Sequence, residues 1–236
     1  MTKCKIHNLR KVYTLNGKPH EVIRGLDLEA DLEEITVILG RSGCGKTTLL
    51  KILCGLEPAN SGLISLPDRN KLSMVFQEPR LMSWLNVKKN INFGLEKDRI
   101  NPEKTTELIR IVGLQGYEKA YPTQLSGGMQ HRVALARALA CEPEMILMDE
   151  PFAALDYFTR LALQQELLRI HDETGMGVIF VTHNIDEAIL LGDHICIMSE
   201  GVISQEFYQD KGRDKSDLFR RDAITLKQKI LLGLKA

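Results

Sequence analysis

Short apolar runs rich in β-branched residues occur on both sides of a central region whose apolar positions follow helical spacing. Runs of this kind are typical of strands that are buried in a sheet. The first two predicted strands lie on either side of the turn residues Gly17 and Pro19. The predicted strands are residues 5–13, 21–30, 34–39, 63–66, 72–76, 145–148, 177–182 and 194–198.

Helical spacing is found between several of these strands. Gly55 and Pro58 mark the end of the first predicted helix, and Gly175 and Gly192 follow the last two. Asn101 and Pro102 are typical of the N-cap and first residue of a further helix. The alternation of strands and helices predicts an α/β fold with a parallel sheet covered by helices. The other four predicted helices are residues 46–56, 127–140, 156–174 and 185–191.

The central region, residues 78–141, interrupts this alternation. It is mainly helical, and we therefore interpret it as an insertion into an α/β body formed by residues 1–77 and 142–210. The tail, residues 211–236, mixes charges of both signs and is expected to end in a helix with a solvated face.

Composition and charge narrow the class of protein. The 236 residues are 44% hydrophobic and 26% charged, which is ordinary for a globular chain with a core of normal size. Lysine plus arginine equal aspartate plus glutamate, so the formal net charge is zero. Bulk charge therefore gives no indication of a nucleic-acid-binding protein.

The sequence gives little indication of a membrane span, a signal peptide or disulfide bonds. No apolar run approaches the roughly 18 to 20 residues that span a bilayer. Residues 1–11 are polar and basic, so a signal peptide is not expected. The five cysteines are scattered, without a Cys-x-x-Cys pair, which favours reduced thiols and gives no expectation of a zinc site.

A glycine-rich loop follows the apolar strand 34–39. Its residues, Gly40-Arg41-Ser42-Gly43-Cys44-Gly45-Lys46-Thr47, match the pattern G-x-x-x-x-G-K-[ST]. Glycines let successive backbone N–H groups point into one concavity, and a helix N-terminus aims its positive end at the same place. Lys46 adds a charge for terminal phosphates, and the Thr47 hydroxyl suits Mg²⁺. The loop predicts binding of a nucleotide with Mg²⁺, without naming the reaction.

Two adjacent carboxylates end the apolar strand 145–148. Asp149 is placed to hold Mg²⁺, and Glu150 to polarise an attacking water as a general base. A strand that simply ends in a polar turn is the alternative for this pair alone. The phosphate loop upstream favours the catalytic interpretation.

Two further polar residues follow predicted strands. His183 comes directly after the strand 177–182, at the carboxyl end where open α/β sheets place their sites, so a γ-phosphate contact is expected. A structural histidine is the alternative. Gln77 likewise ends an apolar strand, and its carbonyl suits Mg²⁺ or the attacking water.

The segment Leu125-Ser126-Gly127-Gly128-Met129-Gln130 opens a predicted helix. A serine hydroxyl and bare glycine amides at a positive helix end form a second anion site, distant in sequence from the first. One nucleotide does not need two γ-phosphate sites in a single chain. A pair of chains does need both sites, if each chain completes the nucleotide pocket of the other.

Together these motifs resemble those of the ATP-binding-cassette (ABC) family in order and spacing, over nearly the whole chain. The resemblance implies a P-loop NTPase fold, with a RecA-like parallel core, an N-terminal antiparallel β subdomain and an inserted helical subdomain. It also implies that ATP and Mg²⁺ are bound and that ATP is hydrolysed. The small departures are His131, where glutamine is usual, and Ala154, where glycine or serine is common.

The resemblance also implies roles for residues outside the phosphate loop. Tyr13 would stack on adenine, although an edge-strand tyrosine is the alternative. Ser126 and Gly128 would contact the γ-phosphate of ATP held by a second copy, and Asp156 would join the two sites across the dimer. The implied nucleotide-binding set is Tyr13, residues 40–48 including Thr48, Gln77, Ser126, Gly127, Gly128 and Asp156. The implied catalytic set is Lys46, Gln77, Glu150 and His183, and the implied metal ligands are Thr47, Gln77 and Asp149.

Residues 75–90 are similar to the importer group that handles nitrate, sulfonate, taurine and bicarbonate, although Met82-Ser83 replaces the usual Leu-Pro. The similarity implies a peripheral subunit on the cytoplasmic face of the membrane. Integral membrane permease subunits would dock near residues 77–90, and a solute-binding protein would act indirectly. Trp84 is the only tryptophan, and it is expected to be a core residue of the helical insertion whether or not the chain belongs to this importer group.

Three alternatives stay open. One is an importer ATPase for another small nutrient; another is a soluble cassette ATPase that acts on DNA or ribosomes. A third is a phosphotransferase, which would not need residues 125–130.

Within the phosphate loop, Cys44 lies near a helix N-terminus that can lower a thiol pKa. We therefore expect alkylation of Cys44 to block ATP binding, unless Cys44 only fills the turn.

Overall fold

The fold is described from a computed structural model, which describes residues 3–66, 71–153, 155–210, 212 and 220–234. Ala154, noted above as a departure from the family pattern, and much of the segment 211–219 lie outside the described residues. The strands are β1 Lys3–Leu15, β2 Lys18–Asp31, β3 Ile35–Leu39, β4 Ser61–Ser65, β5 Leu72–Val75, β6 Met145–Asp149, β7 Gly177–Thr182, β8 His194–Ser199 and β9 Val202–Tyr208.

Seven α-helices are described. They are α1 Lys46–Leu53, α2 Val87–Ile91, α3 Pro102–Ile111, α4 Gly127–Ala140, α5 Tyr157–Thr174, α6 Ile185–Leu191 and α7 Arg221–Gly233. None of the described helices is both long and apolar enough to cross a membrane.

The strands form two sheets. An antiparallel sheet has the order β2-β1-β4, and a six-stranded sheet has the order β5-β6-β7-β3-β8-β9. Neighbours from β5 to β8 are parallel, whereas β9 pairs with β8 in the antiparallel sense. The α/β fold with a parallel core and an N-terminal antiparallel sheet is therefore confirmed. The edge strand β9 had no counterpart among the predicted strands.

The larger sheet separates two hydrophobic clusters. One cluster joins the face that carries Ile35 and Val178 to helices α2, α3 and α4. The other joins the opposite face, with Ile38 and Ile179, to α1 and the antiparallel sheet. The inserted helices therefore share their core with the larger sheet. The boundaries proposed above for the subdomains stay predictions.

Helix α1 ends three residues earlier than predicted, at Leu53. Gly55 has φ +75°, a left-handed conformation that glycine adopts without a Cβ penalty. Its N–H donates to Ile52 and the N–H of Leu56 donates to Lys51, at 3.0 and 2.8 Å. This pair of bonds is a Schellman motif, which stops the helix at the glycine and leaves its N-terminus at the phosphate loop.

Candidate nucleotide-binding site

The glycine-rich loop connects β3 to α1 and is held against β8. A Cβ at Gly40 would lie 2.4 Å from the Met198 carbonyl oxygen, so only glycine fits there. Gly45 has φ +110°, and a Cβ there would approach the Val22 carbonyl oxygen at 3.0 Å. Close neighbours therefore explain the glycine at position 40, and a left-handed backbone together with close neighbours explains the one at position 45.

Lys46 is the cation of the site and is only 5% exposed. Its ammonium donates to the carbonyl oxygens of Gly40 and Arg41 at 2.8 and 3.0 Å. Its Nζ is also 3.7 Å from Oε1 of Glu150. The loop thus holds a buried positive charge at the N-terminus of α1, as a binding site for an anion requires.

Thr47 and Asp149 bring two oxygen ligands together. The Thr47 hydroxyl donates to Oδ1 of Asp149 at 3.0 Å, across 102 residues of sequence. Burial raises the pKa of the Asp149 carboxyl, and the Thr47 hydrogen bond opposes that rise. Hydroxyl and carboxylate oxygens are the ligands that Mg²⁺ prefers, so the residues fit this ion.

Glu150 and His183 meet because β6 and β7 are parallel neighbours and end at the same edge of the sheet. Oε2 of Glu150 lies 2.7 Å from Nδ1 of His183. The N–H of Glu150 donates to the Val181 carbonyl at 3.0 Å, and its φ is +44°. A left-handed non-glycine residue costs about 1 to 2 kcal/mol, which the surrounding structure must offset. The carboxylate is thereby fixed toward the phosphate loop.

A cavity of about 450 Å³ lies between the loop and these strand ends. It brings Gln77 and Glu150 together with six positions of the predicted nucleotide-binding segment 40–48. Val22 was not foreseen, because it is an ordinary strand valine in the other sheet. The lining residues are Val22, Ser42, Gly43, Gly45, Lys46, Thr47, Thr48, Gln77 and Glu150.

Tyr13 lies beside this cavity without lining it. Its hydroxyl donates to Glu57, and Nζ of Lys11 lies 4.9 Å from its ring centroid. Burial and the Glu57 hydrogen bond raise the pKa of the Tyr13 hydroxyl, while a hydrogen bond with Thr48 lowers it. The structure thus places Tyr13 next to one cavity residue, Thr48.

The residues expected to serve a second copy lie elsewhere on the chain. Among the described residues that line the cavity, none comes from 126–128 or from position 156. Ser126 caps α4 by accepting a hydrogen bond from Met129 N at 3.3 Å. Asp156 caps α5 by accepting from Thr159 N at 3.1 Å, and this interaction lowers its carboxyl pKa.

Gly127 and Gly128 differ in their surroundings. A Cβ on Gly127 would meet nothing within 4 Å, whereas one on Gly128 would lie 2.4 Å from Cγ2 of Thr159. Gly128 is buried and Gly127 is exposed. The second glycine therefore lets α4 approach the first turn of α5, whatever it contributes to anion binding.

Two sequence-based expectations need correction. The pKa of the Cys44 thiol is raised, because burial outweighs the lowering effects of Lys46 and the loop amides. This favours the interpretation of Cys44 as a residue that fills the turn. Trp84 is 70% exposed, so it is not a core residue of the helical insertion.

Comparisons with known proteins identify the family of this chain. The family model described as ABC transporter matches residues 23–153. An uncharacterised ABC transporter ATP-binding protein of Methanocaldococcus jannaschii is 41% identical, over 99% of this chain and 94% of the relative. The aliphatic sulfonates import ATP-binding protein SsuB of Bacillus subtilis is 45% identical, over 80% of this chain and 76% of the relative.

A solved structure has the same fold. It is the dimeric, post-hydrolysis state of an ATP-binding cassette bound to ADP and phosphate, with a TM-score of 0.78 and 30% identity over 87% of this chain and 98% of that chain. This chain belongs to the ABC transporter family. It is the ATP-binding cassette of such a transporter and hydrolyses ATP.

Proposed function

We propose that this cassette powers a small-anion importer and that aliphatic sulfonates are its solute class. The observation that carries the catalytic assignment is that Glu150 lies between Lys46, with which it lines the cavity, and His183. The solute class is supported by relatives of 40 to 45% identity whose names specify aliphatic sulfonate import. The solute is recognised by other subunits, so this chain supplies the energy-coupling step.

In the proposed mechanism the phosphates of ATP enter the cavity between the loop and Glu150. Lys46 and the loop N–H groups hold the terminal phosphates. Thr47, Asp149 and Gln77 would hold Mg²⁺, which neutralises phosphate charge when bound. Glu150 accepts the proton of the attacking water, and His183 keeps the Glu150 carboxylate oriented through Nδ1.

The proposal includes a homodimer in which each copy completes the other's site. Ser126 and Gly128 would contact ATP held by the partner, and Asp156 would link the two sites. The dimeric assembly of the structural relative supports this arrangement. It is also supported by the exposed positions of Ser126, Gly127 and Asp156. ATP binding would thus draw two cassettes together.

Membrane subunits are proposed to dock on residues 77–90, on the cytoplasmic face of the membrane. Asn90 is buried and bonds Met82 N and O and Leu85 O, which fixes this loop. Arg137 of α4 donates to the carbonyl oxygens of Pro79 and Arg80 at 2.8 and 2.9 Å. The loop therefore presents Trp84 to solvent while it stays tied to α4, the helix that Ser126 caps.

Replacement of Glu150 by glutamine tests the hydrolytic assignment. We expect Glu150→Gln to slow ATP hydrolysis by roughly 10²- to 10⁴-fold, the range for a lost general base, and to retain ATP in a stable dimer. Phosphate release and size-exclusion chromatography with ATP measure the two effects. Glu200→Gln is the matched control. Glu200 has a similar left-handed backbone, with φ +48°, but its side chain is exposed. Normal hydrolysis by the Glu150 variant would remove this residue from the role.

Solute uptake tests the importer assignment. Cells that carry the chain with its membrane subunits should accumulate labelled alkanesulfonate, and cells with the Glu150→Gln variant should not. Nitrate, taurine and bicarbonate are measured in parallel. Uptake of nitrate or bicarbonate in place of alkanesulfonate would correct the solute class, whereas uptake of taurine alone would narrow it to aminoalkanesulfonates. Glu150-dependent uptake of none of them, despite normal ATPase activity, would exclude the small-anion importer.

A further inference from the structure

Four side chains meet on one face of the β8–β9 pair, away from the phosphate loop residues. In the antiparallel register His194 lies opposite Tyr208, and Cys196 lies opposite Glu206. Residues two apart on a strand share a face, and directly opposite residues share a face as well. The register alone therefore assembles an imidazole, a thiol, a carboxylate and a phenol.

The potential ligand atoms of three of these residues converge. Nε2 of His194 lies 2.7 Å from Oε2 of Glu206 and 3.2 Å from Sγ of Cys196. One ligand atom from each residue lies within 4.8 Å of the other two. His194 is 2% exposed and Cys196 is fully buried, whereas the Glu206 side chain is 41% exposed. The cluster is therefore closed on one side and open to solvent on the other.

Tyr208 orients two members of the cluster. Its ring stacks on the His194 ring at a centroid distance of 4.3 Å and an interplanar angle of 5°. Its hydroxyl donates to Oε2 of Glu206 at 3.2 Å. Outer groups that fix the direction of an imidazole and a carboxylate in this way are typical of metal sites.

Protein hydrogen bonds alone do not serve all three groups well. If the neutral His194 ring donates from Nε2 to Glu206, that nitrogen offers no lone pair to the Cys196 thiol, which then has only Nδ1 as an acceptor, at the longer distance of 3.9 Å from Sγ. If Nε2 accepts from the thiol, it has no proton for Glu206. A cation that takes one electron pair from each group resolves this conflict at Nε2.

We propose that His194, Cys196 and Glu206 form a binding site for a borderline divalent metal ion, with Zn²⁺ the best match. Nitrogen, sulfur and carboxylate oxygen are the zinc ligands, whereas Mg²⁺ and Ca²⁺ prefer sites made of oxygen. The ion binds the Cys196 sulfur as thiolate, and the thiol proton passes to solvent. Water occupies the fourth position, on the side that Glu206 leaves open.

The spacing suits zinc after a small adjustment. Bonds of about 2.0 Å to nitrogen and about 2.3 Å to sulfur place tetrahedral ligand atoms roughly 3.3 to 3.6 Å apart. The 2.7 Å separation of His194 and Glu206 is shorter than this. An outward shift of the Glu206 carboxylate makes the room, and Glu206 is the most exposed of the three ligands. The bound ion would tie the edge strand β9 to β8.

Cobalt titration of the nucleotide-free, metal-free full chain tests this site. One equivalent of Co²⁺ should give a thiolate-to-cobalt charge-transfer band and four-coordinate visible bands, both displaced by Zn²⁺. Cys196→Ser should lose the charge-transfer band. Loss of a residue that hydrogen-bonds to a metal ligand typically weakens metal binding by roughly tenfold to hundredfold. Tyr208→Phe should therefore weaken Zn²⁺ binding by about tenfold, and Glu206→Gln, which changes a ligand, by at least roughly tenfold to hundredfold.

Two controls separate this site from other thiols and from misfolding. Cys44→Ser removes the thiol of the phosphate loop and should leave the cobalt spectrum unchanged. At one Zn²⁺ concentration the melting temperature of the unmodified chain should rise more than that of Glu206→Gln, a change at an exposed position. Absence of the charge-transfer band, or its loss in Cys44→Ser with retention in Cys196→Ser, would overturn the proposal. The ATPase assignment does not depend on either result.

Discussion

At the scale of the residue, Gly128 shows how a motif position can have a packing role. Its missing Cβ leaves room for the methyl group of Thr159. We expect Gly128→Ala to lower the free energy of unfolding by about 1 to 3 kcal/mol, because the added methyl overpacks the contact between α4 and α5. Urea denaturation measures the change.

The neighbouring glycine provides the control for this change. Gly127→Ala adds the same methyl group into open space, so it should leave stability equal or raise it by up to about 1 kcal/mol through helix propensity. The double variant Gly128→Ala with Thr159→Ser removes the clashing methyl and should recover most of the loss. Equal destabilisation by the two alanines would contradict the packing argument.

At the scale of the element, Glu187 joins helix α6 to the end of β7. The Thr182 hydroxyl donates to its Oε2 at 2.5 Å, and Nε of Arg160 lies 3.8 Å from Oε1. Burial raises the pKa of the Glu187 carboxyl, and nearby Glu150 raises it further, although Thr182, Arg160 and His183 oppose the rise. The native state therefore holds this proton more tightly than the unfolded chain does.

The raised pKa gives a signed prediction for stability against pH. Between the unfolded and folded pKa values of Glu187 the native state binds more protons, so its stability falls as pH rises through that interval. Glu187→Gln removes this loss. The stability of the variant relative to the parent should rise from low to neutral pH and then level off.

Denaturation curves at several pH values measure this difference. Glu200→Gln, at a carboxylate that is 84% exposed, serves as the reference and should show no comparable rise. A constant difference between the Glu187 variant and the parent at all pH values would contradict the cause assigned to the shift.

The elements also show what the sequence could and could not predict. Strands β3, β6 and β7 and helices α4 and α6 were foreseen within a residue, because buried runs and end signals are local. The edge strand β9 was missed, since its exposed residues lack a clear apolar pattern. Val22 and the contact of Gly128 with Thr159 were also missed. Both depend on the packing of elements that are far apart in the sequence, and a local sequence pattern does not predict such packing.

At the scale of the whole molecule, the C-terminal helix α7 reaches the phosphate loop. Nη2 of Arg41 donates to the Leu234 carbonyl at 3.1 Å, across 193 residues, and the Arg41 carbonyl accepts from Lys46. Arg41→Ala should lower ATP affinity by roughly 2- to 10-fold, the equivalent of one hydrogen bond that orders the loop. Calorimetry with ATP measures the change.

Deletion of residues 231–236 should produce a loss of similar size, because it removes the other half of the same contact. The two changes together should not add, as is usual for groups that act through one interaction. Arg110→Ala, at an exposed arginine of α3 that pairs with Glu107, is the control for loss of an arginine. Additive losses would show that α7 and Arg41 act independently.

The close approach of Gly128 to Thr159 has a mechanical consequence. Thr159 also donates its N–H to Asp156, so the start of α4 and the first turn of α5 form one stiff joint. In the homodimer proposed above, a force on Ser126 from the nucleotide of the partner copy would pass through this joint to Asp156. On that proposal, the short path from Ser126 to Asp156 would couple the two nucleotide sites of the dimer directly.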